Sequence, residues 1–123
     1  MLNANSKYIL FKSRRLLSCT PVKKTHQFLV MLQDYKDPEA LSRRLAAREE
    51  HLAGAKKAAR EKQLLVGGAI LDNHESSKME GSFLLVSAES AEQVNEMIVK
   101  DPYYKAKAWE KWEVYPVKCA IGP

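Results

Sequence analysis

Cysteine is nearly missing from this chain. Two residues in 123, Cys19 and Cys119, lie near opposite ends, without the paired spacing of a disulfide framework, a zinc site or a redox motif. Long apolar runs are missing too. No stretch approaches the roughly 20 residues that cross a bilayer as a helix, so a soluble protein with no membrane partner is expected. Acidic residues are absent from the first 24 positions, which carry Lys7, Lys12, Arg14, Arg15, Lys23 and Lys24. Six of the 20 basic side chains and none of the 15 acidic ones therefore sit in this leader, and the remainder is one charge short of neutral. The net charge of +5 is a property of the leader, and no basic footprint for a phosphate backbone is left elsewhere, which argues against a nucleic-acid partner. Internal repeats and low-complexity segments are also lacking.

What is present is one domain's worth of chain, divided into a basic leader, 1–24, and a domain, 25–123. In the leader Ile9, Leu10, Ser13, Leu16 and Leu17 share one side of a possible helix and most basic residues fall on the other. A basic, amphipathic, acid-free start fits a mitochondrial presequence and predicts the matrix as location. A plain basic tail on a cytoplasmic protein is the alternative.

The domain begins with a buried strand over 27–33, where Phe28-Leu29-Val30-Met31-Leu32 is apolar on both alternating faces. Asp37-Pro38 predicts a helix start, with Asp as N-cap and Pro at the first helical position. Leu41, Leu45, Arg48, Leu52, Ala55 and Ala59 then recur at helical spacing to about Lys62, with Gly54 read as a point of close packing. Residues 64–71 read as a strand with a kink or bulge at Gly67-Gly68, followed by a polar loop over 72–80. Phe83-Leu84-Leu85-Val86 is a third strand. Ser90 with Gln93 forms a capping box for a second helix that stops before Pro102, and a last strand runs from Trp109 to Val117. The order β-α-β-β-α-β predicts an α+β, ferredoxin-like fold with two helices on one face of a four-stranded antiparallel sheet. The other face of that sheet stays apolar and uncovered, which predicts a homodimer packed sheet against sheet.

Three side chains are chemically conspicuous. Arg48 falls in the predicted inward stripe, where a guanidinium needs an anion, with Glu49, Glu50 or a neighbouring helix as its bland partners. His51 lies about 60° around the helix from it, close enough to share a pocket. Asp101 follows Val94, Met97 and Ile98 at inward spacing, at a helix C-terminus where the macrodipole disfavours a carboxylate by roughly 0.3–1 kcal/mol. The plainer readings are a hydrogen-bonded structural histidine and an aspartate that caps a short turn through Tyr103-Tyr104. Trp109, Trp112, Tyr103 and Tyr104 serve packing or a small organic ligand. Gly67-Gly68 is not a phosphate loop, because no helix follows it.

Arg48-x-x-His51-Leu52, Gly67-Gly68, Gly81-Ser82, Ala88-Glu89-Ser90-Ala91-Glu92, Asp101-Pro102-Tyr103, Trp109-Glu110 and Pro116 resemble, in order and spacing, the YCII-related (YciI-like) proteins over roughly residues 26–118. The resemblance implies a dimeric α+β barrel with a pocket in each protomer. It implies a histidine and an aspartate acting together, matched here by His51 and Asp101, with Arg48 matching the arginine before the histidine. It implies no cofactor and no metal. A relative removes chloride from a chlorinated hydroxyquinone, and the wider superfamily includes lactone isomerases and small-molecule oxygenases. This chain departs from the commoner bacterial pattern in its leader and in a longer loop between strands.

These observations predict a cofactor-independent enzyme acting on a small aromatic or enol-like acid by isomerisation or elimination. His51 would carry the proton, Asp101 would orient it, and Arg48, Gly67, Gly68 and Trp109 would hold the substrate. The alternative is a non-catalytic dimeric module that binds a small molecule or a partner.

Overall fold

The computed structural model describes residues 24–123, so the leader read from the sequence lies outside the described residues except for Lys24. The chain forms β1 (His26–Asp34), α1 (Ala40–Arg60), β2 (Leu64–Leu71), β3 (Met79–Ala88), α2 (Ala91–Val99), the single turn α3 (Pro102–Lys105) and β4 (Trp109–Val117). The four strands make one antiparallel sheet in the order β2-β3-β1-β4, the ferredoxin-like arrangement the sequence predicts.

Strand alternation sorts β1 into two faces. Phe28, Val30, Leu32 and Asp34 are buried, and the three apolar ones join Val86 and Ala88 of β3, Val94 and Ile98 of α2, Tyr103 and Trp109 in one core. On the opposite face no helix among the described residues covers Leu29, Met31, Phe83, Leu85, Val66 and Tyr115, of which Met31, Val66 and Tyr115 are 39%, 41% and 43% exposed.

α1 departs from the sequence reading in three ways. It begins at Ala40, with Glu39 as its N-cap residue, although Asp37 does tie down the turn before it: its carboxylate takes the Glu39 amide at 3.2 Å together with Arg43 Nη1 and Nη2 at 2.7 Å each. It ends at Arg60, where Lys62 turns into the left-handed region at φ 63° and the Gln63 amide returns to Ala58 O at 2.9 Å, a helix stop of the Schellman kind. Its buried stripe is also rotated from the predicted one. Ala40, Arg44 and His51 are buried, whereas Leu45 is 52% exposed and Arg48 is exposed. The leucines misled because Leu45 faces solvent and Leu52 borders a cavity beside β2 rather than the core.

Two glycine expectations also resolve. The register shifts in β2 fall at Leu64/Val66 and Ile70/Leu71 rather than at the glycine pair. Something does approach Gly68: the Phe83 ring, which a Cβ there would meet at 2.7 Å. Gly54 is different, because a Cβ there would find nothing within 4 Å, so close packing does not explain it.

The second helix keeps its predicted cap. Ser90 Oγ accepts from the Gln93 amide at 3.2 Å and Gln93 Oε1 accepts from the Glu89 amide at 2.8 Å. β3 starts earlier than its apolar run suggests, because Met79 to Ser82 pair with β2 and Gly81 and Ser82 also pair with β1. No helix among the described residues is long and apolar enough to cross a membrane.

Candidate functional site

The rotation of α1 puts His51 in the middle of its buried stripe. α2 ends at Val99, Lys100 closes it, and Asp101 becomes the N-cap of α3, its Oδ1 accepting from the Tyr103 amide at 2.9 Å. The unfavourable helix end expected for Asp101 is thus replaced by a favourable one. The same Oδ1 meets His51 Nδ1 at 2.7 Å. A carboxylate only accepts, so in the neutral imidazole this contact places the hydrogen on Nδ1 and leaves the lone pair on Nε2. The capping and pairing readings of Asp101 are both realised, through one oxygen atom.

Two rings fix the imidazole. Tyr103 stacks on it at 3.8 Å between centroids and 13° between planes, and Trp109 meets it edge-on at 5.6 Å. Burial pushes the Tyr103 hydroxyl above its ordinary pKa, so the ring stays neutral at physiological pH. Among the described residues no hydrogen bond reaches His51 Nε2, and one edge of the ring lines a cavity.

That cavity, about 170 Å³, lies between α1 and β2 and is bordered by Arg44, Arg48, His51, Gly67, Gly68 and Tyr103. The structure therefore brings Arg48 and the glycine pair to His51, as the sequence predicts. Arg48 forms no ion pair among the described residues. Its expected pairings with Glu49 or Glu50 are not made, and its guanidinium is available at the cavity wall. Trp109 does not border this cavity. It is 1% exposed and supports the imidazole from within the core.

Arg44, which sequence reasoning overlooked, is the buried cation. Its Nη1 meets both oxygens of Asp34 at 3.0 Å and its Nη2 donates to Ser82 Oγ at 3.0 Å, which also accepts from Trp109 Nε1 at 3.1 Å. Cζ lies 4.7 Å from the centre of the Tyr103 ring, a cation–π arrangement. Only Nε, buried, has no hydrogen-bond partner. Burial raises the Asp34 carboxyl above its ordinary range, with Arg44 pulling against it. A signal for this pair was present in the sequence: Asp34 continues the inward alternation of Phe28, Val30 and Leu32, and Arg44 stands two helical turns before His51 on the same face.

No group of three or more His, Cys, Asp or Glu suited to a metal ion occurs among the described residues. A compact site remains: an oriented base, a free guanidinium and a buried one around a small cavity. Such a site can take an oxyanion and a proton from one organic molecule.

Comparison with known proteins agrees with this architecture. The model of the YCII-related domain matches residues 28–118. A Haemophilus influenzae protein of uncharacterised function is 33% identical over 95 residues, covering 74% of this chain and 95% of its own length. Among solved structures, the chain is similar to the 5-chloro-2-hydroxyhydroquinone dehydrochlorinase TftG from Burkholderia phenoliruptrix AC1100, determined in complex with 2,5-dihydroxybenzoquinone. The TM-score is 0.63 at 29% identity, over 75% of this chain and 93% of that one. With a family model matched from the first strand to the last, and a relative spanned almost end to end, this chain belongs to the YCII-related domain family.

Proposed function

We propose that this protein is a cofactor-independent enzyme that moves a proton on a small aromatic or enol-like acid. The observation that carries this reading is His51: one nitrogen is held by Asp101 at 2.7 Å and the other is unpaired beside a cavity with a free guanidinium. His51 Nε2 takes a proton from carbon next to a carbonyl, and the C–H electron pair passes into an enolate whose oxygen faces Arg48. The proton returns at another carbon in an isomerisation, or a neighbouring leaving group departs with the electrons in an elimination. Asp101 stabilises the imidazolium in between. The oxygen-rich rings named for TftG support a substrate of this class. The uncovered apolar sheet face supports a homodimer as the working form.

The test is turnover. The wild type should exchange an acidic C–H of an enolisable ring acid for deuterium in heavy water, followed by NMR. His51→Ala should lose about 10²–10⁴-fold of that rate and Asp101→Asn about tenfold or more, both remaining folded. Normal exchange in either variant would sink the assignment. A ligand returned unchanged, bound as tightly by His51→Ala as by wild type, would establish a binding module instead. For the dimer, Tyr115→Lys with Met31→Lys should halve the mass seen by light scattering.

A further inference from the structure

α1 and α2 barely touch. Between them runs a second cavity of about 260 Å³, bordered by Gly54, Ala58, Leu84 and Met97 over a floor of Val94 and Ile98. It shares His51, Ala55, Leu64 and Leu84 with the cationic cavity, so the imidazole stands at the junction of the two. We propose that this groove is the apolar lobe of the same site and takes an alkyl chain or ring carried by the acid on which His51 acts, an inference that rests on the enzyme reading above.

Three observations converge on that occupant. The inward stripe of α1 carries Arg44 and His51 among alanines, and beyond His51 it continues only in Ala55 and Ala58, which leaves the gap unfilled. Gly54 lies inside a helix, where glycine is unfavourable, yet a Cβ would meet nothing within 4 Å. Neither packing nor backbone conformation requires a glycine there, whereas an open groove does. At the other side of the shared wall the cationic cavity is bordered by Arg48, which forms no ion pair among the described residues, so the polar end of a ligand has a partner there. For scale, an apolar cavity of about 150 Å³ holds a benzene molecule, and this groove is larger.

The groove can be tested apart from any reaction. Toluene added to the full chain should shift the methyl NMR signals of Ala58, Val94, Met97 and Ile98, and Gly54→Leu, whose side chain enters the groove, should abolish the shifts. Met97→Trp fills it from the opposite helix and should do the same. No shift in the wild type, or equal shifts in both variants, overturns the proposal. A change of mass in Gly54→Leu by light scattering assigns the groove to a second copy of the chain and also overturns it.

The link to the acid is read from two coloured probes, 2,5-dihydroxybenzoquinone and its 3-hexyl derivative, titrated by absorbance. Each fully buried methylene gives roughly a factor of four. A partly buried chain should therefore bind the derivative at least about thirty-fold tighter than the parent, an advantage that falls to near unity in Gly54→Leu. If the parent binds and the chain adds nothing, the apolar lobe is overturned and the enzyme reading stands. If the parent fails to bind while toluene still shifts the groove, the acid-head reading is lost and the lobe stands.

Discussion

Two acid–base pairs lie two helical turns apart on one face of α1, and they differ in what surrounds them. Arg44 and Asp34 have side chains 4% and 6% exposed, with every polar atom of the guanidinium but Nε engaged. His51 and Asp101 are 11% and 22% exposed, and the imidazole keeps one nitrogen unpaired. The first pair is tied into the sheet through Ser82 and Trp109. The second joins two helices at the border of a cavity. A closed pair fixes position, whereas an open one can act.

The largest expected effect breaks the closed pair. Arg44→Ala strands a desolvated carboxylate and the Ser82 hydroxyl, and should cost about 3–5 kcal/mol in urea denaturation. The double variant Arg44→Met with Asp34→Leu should recover much of that loss, because replacing both charges removes the uncompensated one. If Arg44→Ala unfolds as easily as wild type, the pair does not hold α1 to the sheet. Next in size, and opposite in kind, come His51→Ala and Asp101→Asn, whose loss is in turnover. Asp101→Asn keeps an oxygen to cap α3 but presents no carboxylate to Nδ1. Nitrogen-15 spectra at one fixed pH should then show a mixture of imidazole tautomers where wild type shows Nδ1–H alone.

This contrast explains how much was legible in the sequence. The fold was, because Phe28 to Leu32 and Leu64 to Leu71 are short continuous apolar runs, too short for helices, and Ser90 to Gln93 announces its helix. So was the pairing of His51 with Asp101, carried by the resemblance of their motifs. The orientation of α1 was not, since Leu45 and Leu52 look like core and Arg44 does not. A buried cation becomes visible only once a buried anion is placed opposite it, and Asp34 is brought to Arg44 by the turn between β1 and α1. The place of Trp109 was legible only in part: an aromatic side chain near a polar pair serves equally as ligand platform or as backing, and at 1% exposure it backs the imidazole edge-on while bordering the second cavity rather than the cationic one.

A smaller effect separates the two halves of α1. With open space around position 54, Gly54→Ala should stabilise the protein by about 0.5–1 kcal/mol, the ordinary advantage of alanine inside a helix. A loss of stability there, measured by denaturation, would mean that the backbone rather than the groove requires the glycine.

The smallest effect is a pH dependence with opposite signs at two carboxylates. Arg43 holds exposed Asp37 down at about 2, below its ordinary 3.8, whereas burial raises Asp34. A lowered native pKa means that the unfolded chain binds more protons between the two values. The contribution of Asp37 is therefore present above about 4 and disappears as pH falls towards 2. For Asp34 the native state binds more protons, so its contribution declines as pH rises from 3.8 through its higher native pKa. The Tm difference between wild type and Asp37→Asn should shrink as the solution is acidified from pH 5 to pH 2. A difference that stays constant over that range would show that Arg43 grips the neutral side chain as well as the charged one. In that case the start of α1 would be held by hydrogen-bond geometry rather than by charge.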